Sequence, residues 1–102
     1  MKRLFAAFVL SASPAVFASD AVDNAYLLCK IIDNTNLATE CSVKGWGSTV
    51  DTTIDMTGGD ARELCPKMAG LMASKGKSLG DPWKLRIFSP YSGDHPIATC
   101  KI

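Results

Sequence analysis

A chain of 102 residues in which 11 basic side chains stand against 10 acidic ones, for a net charge of +1, has no overall electrostatic footprint for nucleic acid or for anionic lipid. Its length suits one domain rather than several. Four cysteines in so short a chain point to an oxidising compartment and a fold held by disulfides.

Residues 1–18 read as an export signal. Lys2 and Arg3 form a basic start, Leu4 to Leu10 an apolar run, and Val16-Phe17-Ala18 supplies acceptable residues at −3 and −1 of a cleavage site. The run is far shorter than the ~20 residues of a membrane span. No cysteine follows the expected cut, so there is no lipoprotein attachment signal. The alternative is an N-terminal anchor that stays uncut. Export of this kind looks bacterial and directs the protein to the periplasm or to secretion. Residues 19–102 are then the single mature domain, and loss of Lys2 and Arg3 leaves it one net negative charge. A domain this small buries only about 60–65% of its unfolded surface, so covalent links must support its core.

Residues 19–24 are polar and read as a frayed terminus. Residues 25–32, AYLLCKII, are nearly all apolar and rich in strand formers, which predicts a strand buried on both faces. The turn formers Asp33 to Asn36 follow. Residues 37–44 alternate Leu37, Thr39, Cys41 and Val43 with Ala38, Glu40, Ser42 and Lys44, a second strand that places Cys41 opposite Cys29 across a hairpin. Gly45 to Ser48 make the next turn, with Trp46 at its tip. In residues 49–56, Val50, Thr52, Ile54 and Met56 occupy one face of a strand, while Asp51, Thr53 and Asp55 occupy a face that should meet water.

Residues 57–76 are predicted to be the only helix, because Ala61, Leu64, Cys65, Met68, Leu71 and Met72 follow the i, i+3, i+4, i+7 rhythm. Thr57 is the expected N-cap, with Asp60 completing a capping box. Gly76 is suited to the left-handed closing residue. Pro66 removes an internal hydrogen bond and predicts a kink. After a loop at 77–82, residues 83–89 form a strand with Trp83, Leu85 and Ile87 inward and Lys84, Arg86 and Phe88 outward. A turn at 90–96 leads to the last strand, 97–102. No internal repeat, low-complexity segment or linker divides the chain. The expected fold is α+β, a single kinked helix on one face of a mostly antiparallel sheet in the order β-β-β-α-β-β, with two disulfides.

For the cysteines, the geometry of that fold favours Cys29–Cys41, closing the hairpin, and Cys65–Cys100, stapling the helix to the last strand. No pair has C-x-x-C spacing and the chain has one histidine, so neither a zinc site nor a thioredoxin-like redox site is indicated. Asp51, Asp55, Asp60 and Asp94 lack the spacing of a calcium loop. No metal, cofactor or nucleic-acid partner is expected, nor a membrane span in the mature chain. Asp94 beside His95, with Ser89 and Ser92 near, suggests a small hydrolase or cell-wall enzyme; the plainer account is a turn in which His95 faces solvent. Trp46, Arg86, Phe88 and Tyr91 are residue types that dominate binding hot spots. They become one contact patch only if the 45–48 and 90–96 turns share an end of the sheet; otherwise the rings close the ends of a small core. The expected function is a non-enzymatic module that binds another envelope or secreted protein, such as an inhibitor or accessory subunit.

Overall fold

The computed structural model describes residues 13–102. The chain runs α1 (Ser13–Asn34), β1 (Ala38–Lys44), β2 (Thr49–Ile54), α2 (Gly58–Ser74), β3 (Lys84–Phe88) and β4 (Pro96–Lys101). The fold is α+β, with two helices and a four-stranded mixed sheet ordered β1-β2-β3-β4. The expected export signal lies partly outside the described residues, and its residues 13–18 open α1.

Two expectations are overturned. Residues 25–32 are not a strand and 19–24 are not a frayed end: both belong to α1, so α2 is not the only helix. The reason is in the spacing. Ala25, Leu28, Cys29 and Ile32 are all buried, while Tyr26, Lys30 and Asp33 are exposed. That is a helical stripe at i, i+3, i+4 and i+7. A strand would have put Tyr26, Leu28, Lys30 and Ile32 on one face. The sheet is mostly antiparallel, as expected, and mixed because of one pairing. β1 and β2 pair antiparallel, as do β3 and β4, but β2 and β3 pair parallel, with Thr49 opposite Lys84 and Thr53 opposite Phe88. Two hairpins are thus joined through a β2-α2-β3 crossover.

The expected alternation holds within β2 and β3. Val50, Thr52 and Ile54 face the helices, as do Leu85 and Ile87, with Trp83 just before β3. In β1 an extra residue at Thr39 shifts the register between Ala38 and Glu40. This bulge returns Cys41 and Val43 to the core face and leaves Leu37 and Thr39 exposed. Thr52 is buried, and its hydroxyl donates to the Glu40 carbonyl at 2.8 Å, which gives this buried polar group its partner.

The ends of α2 follow their sequence signals. The Thr57 hydroxyl accepts from the Asp60 backbone N–H at 3.1 Å. Gly76, at φ +69°, donates to the Ala73 carbonyl, and Lys77 donates to that of Met72, the paired bonds of a Schellman closure. The backbone stays helical on both sides of Pro66, whose ring sits in solvent. Ala61, Cys65 and Met72 are fully buried, while Leu71 is on the margin.

Both disulfides pair as expected. Cys29–Cys41 ties α1, rather than a hairpin strand, to β1 across 5.5 Å between Cα atoms. Cys65–Cys100 ties α2 to β4 across 6.0 Å. Two bridges in so small a domain are consistent with an oxidising extracytoplasmic compartment. Among the described residues no helix is long and apolar enough to cross a membrane.

Candidate functional site

The core draws on α1, α2 and the inward-facing residues of the strands. The opposite sheet face carries no helix. Its side chains follow from strand alternation and register. Ser42, Asp51, Arg86 and Thr99 stand side by side in one row across the four strands. Glu40, Thr53 and Phe88 form the neighbouring row toward the β3–β4 turn, and Lys44, Thr49, Lys84 and Lys101 the row toward the β1–β2 turn.

The centre of this face is an ion pair. Arg86 Nε donates to Asp51 Oδ1 at 2.8 Å and Nη2 to Oδ2 at 2.6 Å, a bidentate fork between neighbouring parallel strands. The hydrogen bonds that Arg86 donates to Asp51, opposed by desolvation and aided by the Asp51 charge, raise the guanidinium above its ordinary pKa. The guanidinium also lies 5.2 Å from the centroid of the Phe88 ring, within cation–π range. Asp51 therefore does not simply meet water as its strand face suggested; its side chain is 14% exposed beneath Arg86.

Beside the pair runs an open groove of about 420 Å³. Glu40, Ser42, Lys44, Asp51 and Thr53 line it from β1 and β2, and Ser89, Pro90, Gly93 and Asp94 from the β3–β4 turn. Phe88 supplies the one large ring in the lining. The volume is within the range of small-ligand sites, but the lining is polar and open where such sites are usually apolar and enclosed. Carboxylates and hydroxyls, with one ammonium group from Lys44 and one aromatic face, suit polar side chains presented by another molecule.

The four candidate contact residues do not form one patch. Because β2 and β3 run parallel, the β1–β2 turn and the β3–β4 turn lie at opposite ends of the sheet. Trp46 projects from the first turn with its whole surface in solvent. Tyr91 projects from the second, 83% exposed. Neither ring folds back onto the core. Arg86 and Phe88 meet each other; Phe88 lines the groove, and Arg86 adjoins it through its pair with Asp51.

The Asp94–His95 pair is divided as well. Asp94 lines the groove and His95 does not. The Ser92 hydroxyl donates to the Ser89 carbonyl and accepts from the Ser89 N–H, both at 3.1 Å, so the loop uses it to hold its own shape. The Ser89 hydroxyl accepts from the Tyr91 N–H at 3.0 Å. Among the described residues no side-chain hydrogen bond joins His95 to Asp94, Ser89 or Ser92. No group of three or more potential metal ligands is found there either.

Glu40, Ser42, Lys44 and Thr53 carry no individual signal of a site in the sequence. The signal was available in their alternation, since each falls opposite the apolar set of its strand, but nothing in the pattern told which polar face would be roofed by a turn. Compared with known protein families, curated proteins and solved structures, the chain matches none.

Proposed function

We propose that this protein is a non-enzymatic binding module exported to the periplasm or secreted, and that it holds a partner protein of the same compartment, as an inhibitor or accessory subunit would, on the helix-free face of its sheet. One observation carries the reading: that face is shaped into a groove of about 420 Å³ whose polar lining is fixed by three strands and a self-bonded turn. A preorganised surface of this kind loses little freedom on association. The Asp51–Arg86–Phe88 cluster gives it a rigid centre. Tyr91 stands at the rim as an exposed anchor of the kind that dominates interface energies. The two disulfides and the export signal support the compartment.

The test is capture from an envelope extract with the oxidised protein as bait. Phe88→Ala, Tyr91→Ala and Asp94→Lys are expected to lose the partner, and Trp46→Ala, at the other end of the molecule, to keep it. Groove variants that retain every wild-type partner defeat the proposal. So does a partner lost only by Trp46→Ala.

A further inference from the structure

Net charge hides how the charges of this chain are distributed. The topology sorts them along the strand axis. The turn of the β1–β2 hairpin, the start of β3, the end of β4 and the C-terminal end of α2 all lie at one end of the molecule. The exposed lysines Lys44, Lys75, Lys77, Lys84 and Lys101 are at this end. The exposed acids there are Asp20, Asp23 and Asp81, of which Asp81 stands 3.8 Å from Lys101. The opposite end carries exposed Asp33, Glu40, Asp55, Asp60, Glu63 and Asp94, with Lys30 and Arg62 as the bases among them. The molecule is a dipole, basic where Trp46 is and acidic where the β3–β4 turn overhangs the groove.

Three details of the basic end point to what it meets. Lys44, Lys84 and Lys101 share one cross-strand row through Thr49, on the helix-free face. With strands about 4.8 Å apart, that row puts two ammonium stems side by side and the third about 10 Å away. Like charges directly opposite on a sheet oppose folding, and Asp81 offsets only Lys101. Such an arrangement is relieved by an anionic surface. Next, Trp46 occupies the first central position of the turn closed by the Ser48 N–H to Gly45 carbonyl bond at 3.3 Å. Its glycine neighbours have nothing near them, so the ring stands clear of the protein beside the lysine row. An indole with one apolar body and one N–H donor is the side chain best suited to a lipid headgroup region. Last, α1 enters from the same end. Asn24 Nδ2 donates to the Ser78 carbonyl at 3.3 Å, beside the end of β4. The helical residues before it carry the backbone about 16 Å further in that direction, at 1.5 Å per residue. An uncut leader would tether the molecule by this end, and a cut one leaves the new terminus there.

We infer that the end bearing Trp46, Lys44, Lys84 and Lys101 docks on an anionic phospholipid surface. The acidic end then points away, and the groove opens beside the membrane rather than into it. The inference shares Lys44 alone with the groove lining and otherwise uses the end of the sheet away from the β3–β4 turn, so the Trp46 and Lys84 substitutions separate it from the partner reading.

The test is partition of the oxidised full chain onto vesicles of phosphatidylcholine alone or mixed with phosphatidylglycerol, with Trp46 depth read by quenching from brominated acyl chains. Trp83 is buried, so Trp46 is the indole that lipid can reach. Partition is expected only on the anionic vesicles, falling as salt rises. Lys44→Gln with Lys84→Gln is expected to weaken it by about thirtyfold, which corresponds to about 2 kcal/mol at roughly 1 kcal/mol per lysine. Glu40→Lys with Asp94→Lys should not weaken it, and Trp46→Ala should abolish the quenching. Because the N-terminal residues are common to every variant, they cannot produce this pattern. Equal partition on neutral vesicles, no loss in the double lysine variant, quenching that survives Trp46→Ala, or binding to a soluble acidic polymer without lipid partition would each overturn the inference.

Discussion

The two disulfides differ in what they restrain, and the difference sets a measurable order. Cys29–Cys41 closes a separation of 12 residues and Cys65–Cys100 one of 35. Chain-entropy arithmetic for loops of those lengths gives about 2.8 and 3.8 kcal/mol of destabilised unfolded state at 25 °C. A domain of this size has about 4–13 kcal/mol of stability in total, so either bridge is a large share of it. Cys65→Ala with Cys100→Ala is therefore expected to lose about 1 kcal/mol more than Cys29→Ala with Cys41→Ala. At about 4–8 °C per kcal/mol, the first pair of substitutions should lower Tm by about 15–30 °C and the second by about 11–22 °C. Urea titration of the two double variants against the oxidised wild type reads the free energies directly. Removal of Cys29–Cys41 proving the costlier would refute the reasoning. It would mean that this bridge acts by holding α1 on the sheet, where Leu28 and Ile32 are buried, and not by limiting the unfolded chain.

Further outcomes test the core, the caps and the ion pair. Leu28→Ala should cost about 2–5 kcal/mol in the same titration, because the side chain is fully buried, whereas Tyr26→Ala, on the exposed stripe of α1, should cost far less. Thr57→Ala should cost about 1 kcal/mol through loss of the N-cap bond. Gly76→Ala should cost about 1–2 kcal/mol, since a Cβ at φ +69° is strained although space is open around it. A double-mutant cycle on Asp51→Asn and Arg86→Gln should give a coupling of about 1 kcal/mol that shrinks in high salt, as expected of a bidentate pair at the surface; a coupling of zero would show that the fork does not stiffen the groove.

Much of the fold is written in local patterns, and α1 shows where such patterns fall short. In the window AYLLCKII nearly every residue is apolar, so neither a period of 2 nor one of 3.6 stands out. The discriminating residues are the few polar ones. Tyr26, Lys30 and Asp33 recur at helical spacing, and the helix continues upstream through residues that a short window leaves out. By contrast, β2 alternates polar and apolar without interruption, and α2 carries both a capping threonine and a closing glycine, so each was legible alone. The Cys29–Cys41 pairing is the same for a helix or a strand, because the turn formers Asp33 to Asn36 fold the chain back and bring Cys41 beside Cys29 in either case. The groove was less legible. Its lining combines residues from β1 and β2 with a turn some 40 to 50 residues later in the chain, a juxtaposition set by sheet order and not by any local signal.

The separation of Trp46 from Tyr91 has a single topological cause, and it too has a length argument behind it. Had β3 run antiparallel to β2, the chain would have re-entered the sheet near Ile54, and the β3–β4 turn would have returned to the end that carries Trp46. Instead α2, 17 residues long, covers about 25 Å at 1.5 Å per residue. The six residues of β2 cover about 20 Å. The helix therefore carries the chain back past the full length of the strand, and β3 must start where β2 started. A crossover of a dozen or more residues is what a parallel pair requires. One helix length thus places the second turn over the groove and leaves the first alone among lysines, giving the molecule two unlike ends.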